Sequence, residues 1–236
     1  MKMTAGQIIE EARTKWVEPS ASFITATEAL RWVNMAEADF NRRTKCLRYY
    51  WTISTTADQQ DYLLPPDARI LEVLYCLCEG KELLPTTLAE LDAFASNWRA
   101  SAGGISGQPE YYYISDIHDE QLGLWPCPDD VYTITLYYVE EPPAISDTST
   151  YPKIKDAYHD VLVYYVAWRG HLKNRNFQLA GNANKLYMEN VVIANNHLNV
   201  RQPGRLHVLR GPEYQVSKAA RSRLTLPDHY GWERGR

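Results

Sequence analysis

Val131-Tyr132-Thr133-Ile134-Thr135-Leu136-Tyr137-Tyr138-Val139 is the run whose reading decides the fold. Tyr132, Ile134, Leu136 and Tyr138 fall on one side of an extended chain and Thr133 and Thr135 on the other, because successive strand side chains alternate. That alternation predicts a half-buried strand. Around it, from Tyr49 to Tyr151, prolines at Pro65-Pro66, Pro85, Pro109, Pro126, Pro128, Pro142-Pro143 and Pro152 separate aromatic and β-branched runs such as Tyr49-Tyr50-Trp51-Thr52-Ile53. Such runs bounded by turn formers are strand signals. The spacing predicts an inserted antiparallel β domain over residues 47–151, a small sandwich or barrel.

Helical patterns flank this stretch. Ile8, Ile9, Ala12 and Trp16 recur at helical spacing over Thr4 to Val17, before Pro19. Thr25 and Glu28 form a capping-box pair that opens a helix to Thr44, with Leu30, Val33, Ala36, Glu37 and Phe40 on one stripe and Asn34 beside it as a packing hydrogen bonder. After Pro152, which suits a helix's first turn, Ile154, Tyr158, Val161, Leu162, Tyr165, Trp168 and Leu172 keep helical spacing. A fourth helix covers Gln178 to Leu198 with Leu179, Ala183, Leu186, Tyr187, Val191, Ala194 and Leu198 expected inward. The fold class expected is α+β: residues 1–46 and 152–200 build a four-helix bundle, the β domain is inserted, and 201–236 is an extended basic C-terminal arm.

Within the β stretch, Tyr62-Leu63-Leu64 runs into Pro65-Pro66, Arg69 to Cys78 is a strand closed by Glu79-Gly80, and Tyr111–Ile114 pairs with Gln121–Trp125. Thr87 and Glu90 make a second capping box ahead of a short helix through Leu91, Phe94 and Trp98.

Composition excludes several function classes. The chain has 236 residues, 45% hydrophobic and 23% charged, as in an ordinary globular protein. No apolar run approaches the ~20 residues of a membrane-spanning helix, and the first residues carry no apolar core with a cleavage site, so neither membrane nor secretion is expected. Cys46, Cys76, Cys78 and Cys127 are too sparse for a disulfide scaffold; Cys76 and Cys78 share a strand face as packed thiols, without zinc-ligand spacing. Gly103-Gly104-Ile105-Ser106-Gly107 lacks the strand-to-helix setting of a phosphate cradle. Asp116, His118 and Asp119 read as a solvated turn and His159-Asp160, on a helix flank, as a surface or bundle polar contact. The reading assigns no catalytic residue, metal or cofactor.

Charge is distributed unevenly. Residues 201–236 hold eight Arg and Lys against three acids, a net +5, so with −4 for the whole chain the remaining body carries −9. Gly and Pro interrupt this segment repeatedly. Two readings stay open: a disordered tail, or an arm that orders on a partner with aromatics as anchors and arginines pairing with carboxylates.

The order of signals resembles the head-to-tail adaptor (connector) proteins of short-tailed bacteriophages, the group containing tail tubular protein A. The resemblance covers residues 4–200. It rests on Ala29-Leu30-Arg31-Trp32-Val33-Asn34, Tyr62-Leu63-Leu64-Pro65, Arg69-Ile70-Leu71-Glu72-Val73, Gly107-Gln108-Pro109-Glu110-Tyr111-Tyr112, Leu122-Gly123-Leu124-Trp125-Pro126-Cys127-Pro128 and Tyr137-Tyr138-Val139-Glu140-Glu141-Pro142-Pro143. It implies a structural virion protein of the tail or neck, assembled in the host cytoplasm. Such a protein forms a ring, usually twelvefold, between the portal protein and the tail nozzle, and genomic DNA passes through without specific binding. The helical part and C-terminal extension are then expected to hold the portal and the β part to face neighbours and tail. Arg201, Arg205, Arg210, Tyr214, Arg221, Arg223 and Trp232 are the expected portal-contacting residues. An acidic body lining the channel would repel phosphates and let the duplex slide.

Two other functions compete. A nucleic-acid-binding protein would use the basic tail, against the repulsion of the −9 body and without a groove-reading motif. A hydrolase would use Asp116, His118, Asp119 or His159, for which no convergent acid/base pattern is present.

Overall fold

The computed structural model describes residues 2–16, 23–65, 69–94, 98, 105–115 and 121–200. In chain order the elements are α1 (Ala5–Trp16), α2 (Ala26–Thr44), β1 (Arg48–Ser54), β2 (Asp61–Leu63), β3 (Ile70–Cys78), β4 (Lys81–Pro85), α3 (Leu88–Phe94), β5 (Tyr111–Ile114), β6 (Gln121–Trp125), β7 (Thr133–Glu140), a 3-10 turn (Asp156–Tyr158), α4 (His159–Lys173) and α5 (Phe177–Val200). The fold is mixed α+β: five helices and one curled seven-stranded sheet.

The sheet order is β1-β7-β3-β4-β5-β6-β2. Ile134 and Leu136 of β7 are fully buried and Thr133 is exposed, as their alternation requires. Each strand supplies a side chain to a single core, including Trp51, Tyr62, Cys76, Leu83, Tyr112, Leu122 and Leu136. The two edge strands β1 and β2 are joined by residues 55–60 alone, so the sheet curls until its ends share that core.

The structure corrects the all-antiparallel expectation. β4 and β5 run parallel, Leu84 opposite Tyr111. Residues 86–110, including α3, carry the chain back to the starting end, which parallel pairing demands. β4 itself was not anticipated, because Lys81-Glu82 mask its apolar Leu83.

The second core is helical. α1, α2 and α4 pack on one another, and α5 lies against them through Tyr187, Val191 and Ala194. Tyr187 donates to Asp39 at 2.8 Å, and its ring meets Tyr165 edge-on at 5.2 Å. Residues 1–194 form one compact unit. At α2's start Glu28 N donates to Thr25 Oγ1 at 3.2 Å, while the Glu28 carboxylate pairs with Lys173 at the end of α4. The Thr87/Glu90 box is complete: Glu90 N reaches Thr87 Oγ1 at 3.2 Å and Thr87 N reaches Glu90 Oε2 at 2.9 Å.

Two helix readings need correction. Pro152 does not open a helix; α4 begins at His159 after the 3-10 turn. The amides of Lys153 and Ile154 are drawn to Glu37 instead, which holds residues 151–155 out of the helix. Leu179 and Leu186 face outward, 45% and 44% exposed, while Ala180, Ala183, Tyr187, Val191 and Ala194 form the inner face of α5.

Candidate interaction surfaces

One helix face joins the two cores. Asn34, Glu37 and Asn41 lie three and four residues apart on α2 and share a side. Asn34 donates to the Ile145 carbonyl at 3.0 Å and accepts from its amide at 2.8 Å. Glu37 Oε1 accepts from Lys153 N at 2.5 Å and Ile154 N at 3.2 Å. Asn41 accepts from Leu47 N at 3.0 Å and donates to the Glu140 carbonyl at 2.8 Å. The chain entering the sheet and the chain leaving it are thus held by one helix, and Glu140 N also donates to Leu47 O at 3.0 Å. Glu37 is only 1% exposed; burial pushes its carboxyl above the ordinary carboxylate range, against the pull of its two amide donors. The packing reading of Asn34 holds, although its partner is a linker backbone. Glu37 read as a member of an apolar stripe, and Asn41 carried no signal separable from a surface amide.

Beside this seam a cleft of about 230 Å³ lies among Arg31, Asn34, Glu37, Arg69, Glu141 and Pro142-Pro143. Glu37 is the buried acid there, yet one oxygen already serves two amides, so its role is to fix the backbone.

Of the two settings expected for His159, surface or bundle, the structure gives the bundle: the side chain is fully buried. Its Nδ1 lies 3.1 Å from Met3 N and its Nε2 3.0 Å from the Ile154 carbonyl. Nδ1 also lies 3.0 Å from the Met3 carbonyl, so the ring ties the Met3 backbone to the segment before α4. Cys76 and Cys78 are buried thiols on the sheet's inner face; burial pushes Cys76 up to about 12, which makes it a poor nucleophile or metal ligand at neutral pH. Among the described residues no group of three or more His, Cys, Asp or Glu could hold a metal ion, and no helix is long and apolar enough to cross a membrane.

The sheet's outer face divides in two. Over β5 and β6, α3 forms a roof: Leu91, Trp98 and Tyr113 make a small core. Tyr113 lies across Gly123, where an added Cβ would stand 1.9 Å from its ring. Its hydroxyl donates to Asp61 at 2.8 Å. Over β1, β7 and β3 no such roof exists among the described residues. There Tyr50, Tyr137 and Tyr75 form a row, with ring centroids 5.9 Å apart for the first pair and 4.3 Å, stacked, for the second. Tyr50 is 68% exposed. Their outward neighbours are Thr52, Thr135 and Leu77, with Arg48 and Glu72 at one end of the row and Glu82 opposite Leu77.

The expected portal-contacting residues Arg201, Arg205, Arg210, Tyr214, Arg221, Arg223 and Trp232 lie outside the described residues, as do Asp116, His118 and Asp119. The described surfaces therefore present packing, backbone capture and an aromatic platform. The family described as SU10 adaptor protein matches residues 3–203. The chain belongs to the SU10 adaptor protein family. That match runs from the first helix through the last residue of α5 and stops at the start of the basic segment. SU10 adaptor proteins are phage head-to-tail adaptors, structural components of the virion neck and tail, not an enzyme class. No curated protein matches the chain.

Proposed function

We propose that this SU10 adaptor protein assembles as a closed ring of twelve copies that docks on the portal protein, prolongs the DNA channel and offers the tail nozzle its platform. Three functional parts serve this role: residues 1–46 and 152–200 as a four-helix portal-side bundle, residues 47–151 as a β module toward neighbours and tail, and 201–236 as the arm that grips the portal. The family match over residues 3–203 is the observation that carries the reading. The charge pattern supports it: a −9 body repels duplex phosphates, and a +5 arm suits an acidic recess on a partner. Assembly follows in the host cytoplasm, with ordering of the arm coupled to binding so that the ring waits for its partner.

Electron microscopy of the protein mixed with its cognate portal tests this directly. A ring stacked coaxially on the portal is expected; a virion vertex lacking density for this polypeptide would sink the proposal. The basic arm also favours a second reading, nucleic-acid binding. That reading requires a gel shift with random duplex at moderate salt and a steep loss of affinity as salt rises.

A further inference from the structure

The two ends of the sheet are guarded differently. β2, at one end, is three residues long, and so short a strand offers another chain little to pair with. β1, at the other, runs for seven residues without a proline, and its ladder with β7 continues without a bulge from Arg48 opposite Val139 to Ser54 opposite Thr133. Past Arg48 it carries no charged side chain. β1 thus lacks the devices that keep an open strand edge from pairing. Its register shows which backbone groups are open. Glu140 N donates to Leu47 O at 3.0 Å and Thr55 N to Tyr132 O at 2.8 Å, so both ends of the ladder place their hydrogen-bonded pairs on odd positions of this strand. Antiparallel pairs alternate. Tyr49, Trp51 and Ile53 therefore turn their N–H and C=O groups toward β7, and Tyr50, Thr52 and Ser54 turn theirs away. Those outward groups meet no backbone partner among the described residues.

We infer, resting on the ring proposed above, that residues 205–210 of a neighbouring copy add to the β1 edge as an eighth strand and so link the copies. A row of open backbone donors and acceptors matches another extended backbone, the mode of strand addition. Within 201–236, Arg205-Leu206-His207-Val208-Leu209-Arg210 is the run that fits. Pro203-Gly204 precedes it and Gly211-Pro212 follows, and an apolar-rich run bounded by turn formers is a strand signal. Six residues span about 20 Å, against about 23 Å for β1. Charge agrees. Near the Ser54 end of β1, Thr55 Oγ1 donates to the Asp130 carbonyl at 2.9 Å, and Thr133, opposite Ser54, donates its amide to Glu79. Neither acid forms a salt bridge among the described residues, so a run closed by an arginine at each end suits this edge. Bodies of −9 repel each other, and the +5 segment is the part of one copy that another attracts. Edge and run are different surfaces, which a head-to-tail contact that closes by rotation requires. Residues 211–236 remain to reach the portal.

The test uses the full chain with its cognate portal. Thr52→Pro removes one outward N–H and leaves every bond to β7 in place, so the variant should keep its circular dichroism and melting temperature. The concentration it needs for ring assembly should rise roughly tenfold or more. Trp51→Pro, whose N–H faces β7, should lower the melting temperature instead. Unchanged assembly by the folded Thr52→Pro protein would overturn the inference. Thr52→Cys and Val208→Cys are also made in separate chains, mixed, assembled and treated with a short bismaleimide, which tolerates a slip of register. Covalent dimers above the wild-type background are expected. Their absence from a ring that microscopy shows intact would overturn the inference while sparing the ring. So would a double variant that, diluted into wild type, links within one chain. Wild-type protein that forms no ring on the portal would overturn both.

Discussion

At the scale of single residues, Glu37 makes the sharpest statement. Its carboxyl is held above the ordinary value of 4.5 by burial, so the folded protein binds that proton more tightly than the unfolded chain does. The associated stability is complete below about pH 4.5 and is lost as pH rises through the elevated folded value. Glu37→Gln keeps an oxygen for the Lys153 and Ile154 amides and removes the ionisation. Denaturant unfolding should therefore find the Gln variant gaining on wild type from about pH 4 to neutrality, whereas Glu37→Ala loses about 1–3 kcal/mol at both ends because a buried and a part-buried amide lose their acceptor. A wild-type and Gln difference independent of pH would contradict this. Gly123 makes a steric statement instead. A methyl group there meets the Tyr113 ring at 1.9 Å, so Gly123→Ala should swing Tyr113 away from Asp61 and Trp98 and cost about 1–3 kcal/mol, visible as a lower melting temperature and altered near-ultraviolet dichroism.

At the scale of elements, α2 acts as a clasp as well as a core helix. Asn41→Ala strands the Leu47 amide and the Glu140 carbonyl, an expected cost of roughly 1–3 kcal/mol. Hydrogen exchange should quicken at Leu47 and its β1 and β7 neighbours before it does in α4; uniform acceleration across the chain would argue against a local clasp. Elements whose signal is local were legible in advance. Alternation found β7, turn formers bounded β3, β5 and β6, and hydroxyl–carboxylate pairs opened α2 and α3. What escaped depends on distant partners. The parallel pairing of β4 with β5 is set by where the crossover returns the chain, and no residue in Lys81–Pro85 states it. Leu179 and Leu186 read as inward because hydrophobicity says only that a side chain wants cover, not which molecule supplies it. Asn34 was legible as a hydrogen bonder but not its partner, and Glu37 and Asn41 were hidden for a related reason: their partners are backbone groups about six to over a hundred residues away, and backbone leaves no mark in sequence.

At the scale of the whole molecule, the proposed function divides labour between an acidic body and a basic arm. Truncation after Leu198 should leave the described fold and its melting temperature nearly unchanged, yet abolish co-sedimentation with the portal; normal joining by the truncated chain would remove the arm from the mechanism. The meeting of Leu47 and Glu140 carries one more consequence. Because these two positions exchange a backbone hydrogen bond at 3.0 Å, everything between them is a loop-out from a nearly closed path. The module can be treated as a cassette: a short glycine bridge from Cys46 to Glu141 would leave the remaining chain with a connection it can span without stretching. A lineage could exchange one such cassette for another and alter the surface the sheet presents, while the helical core keeps its packing.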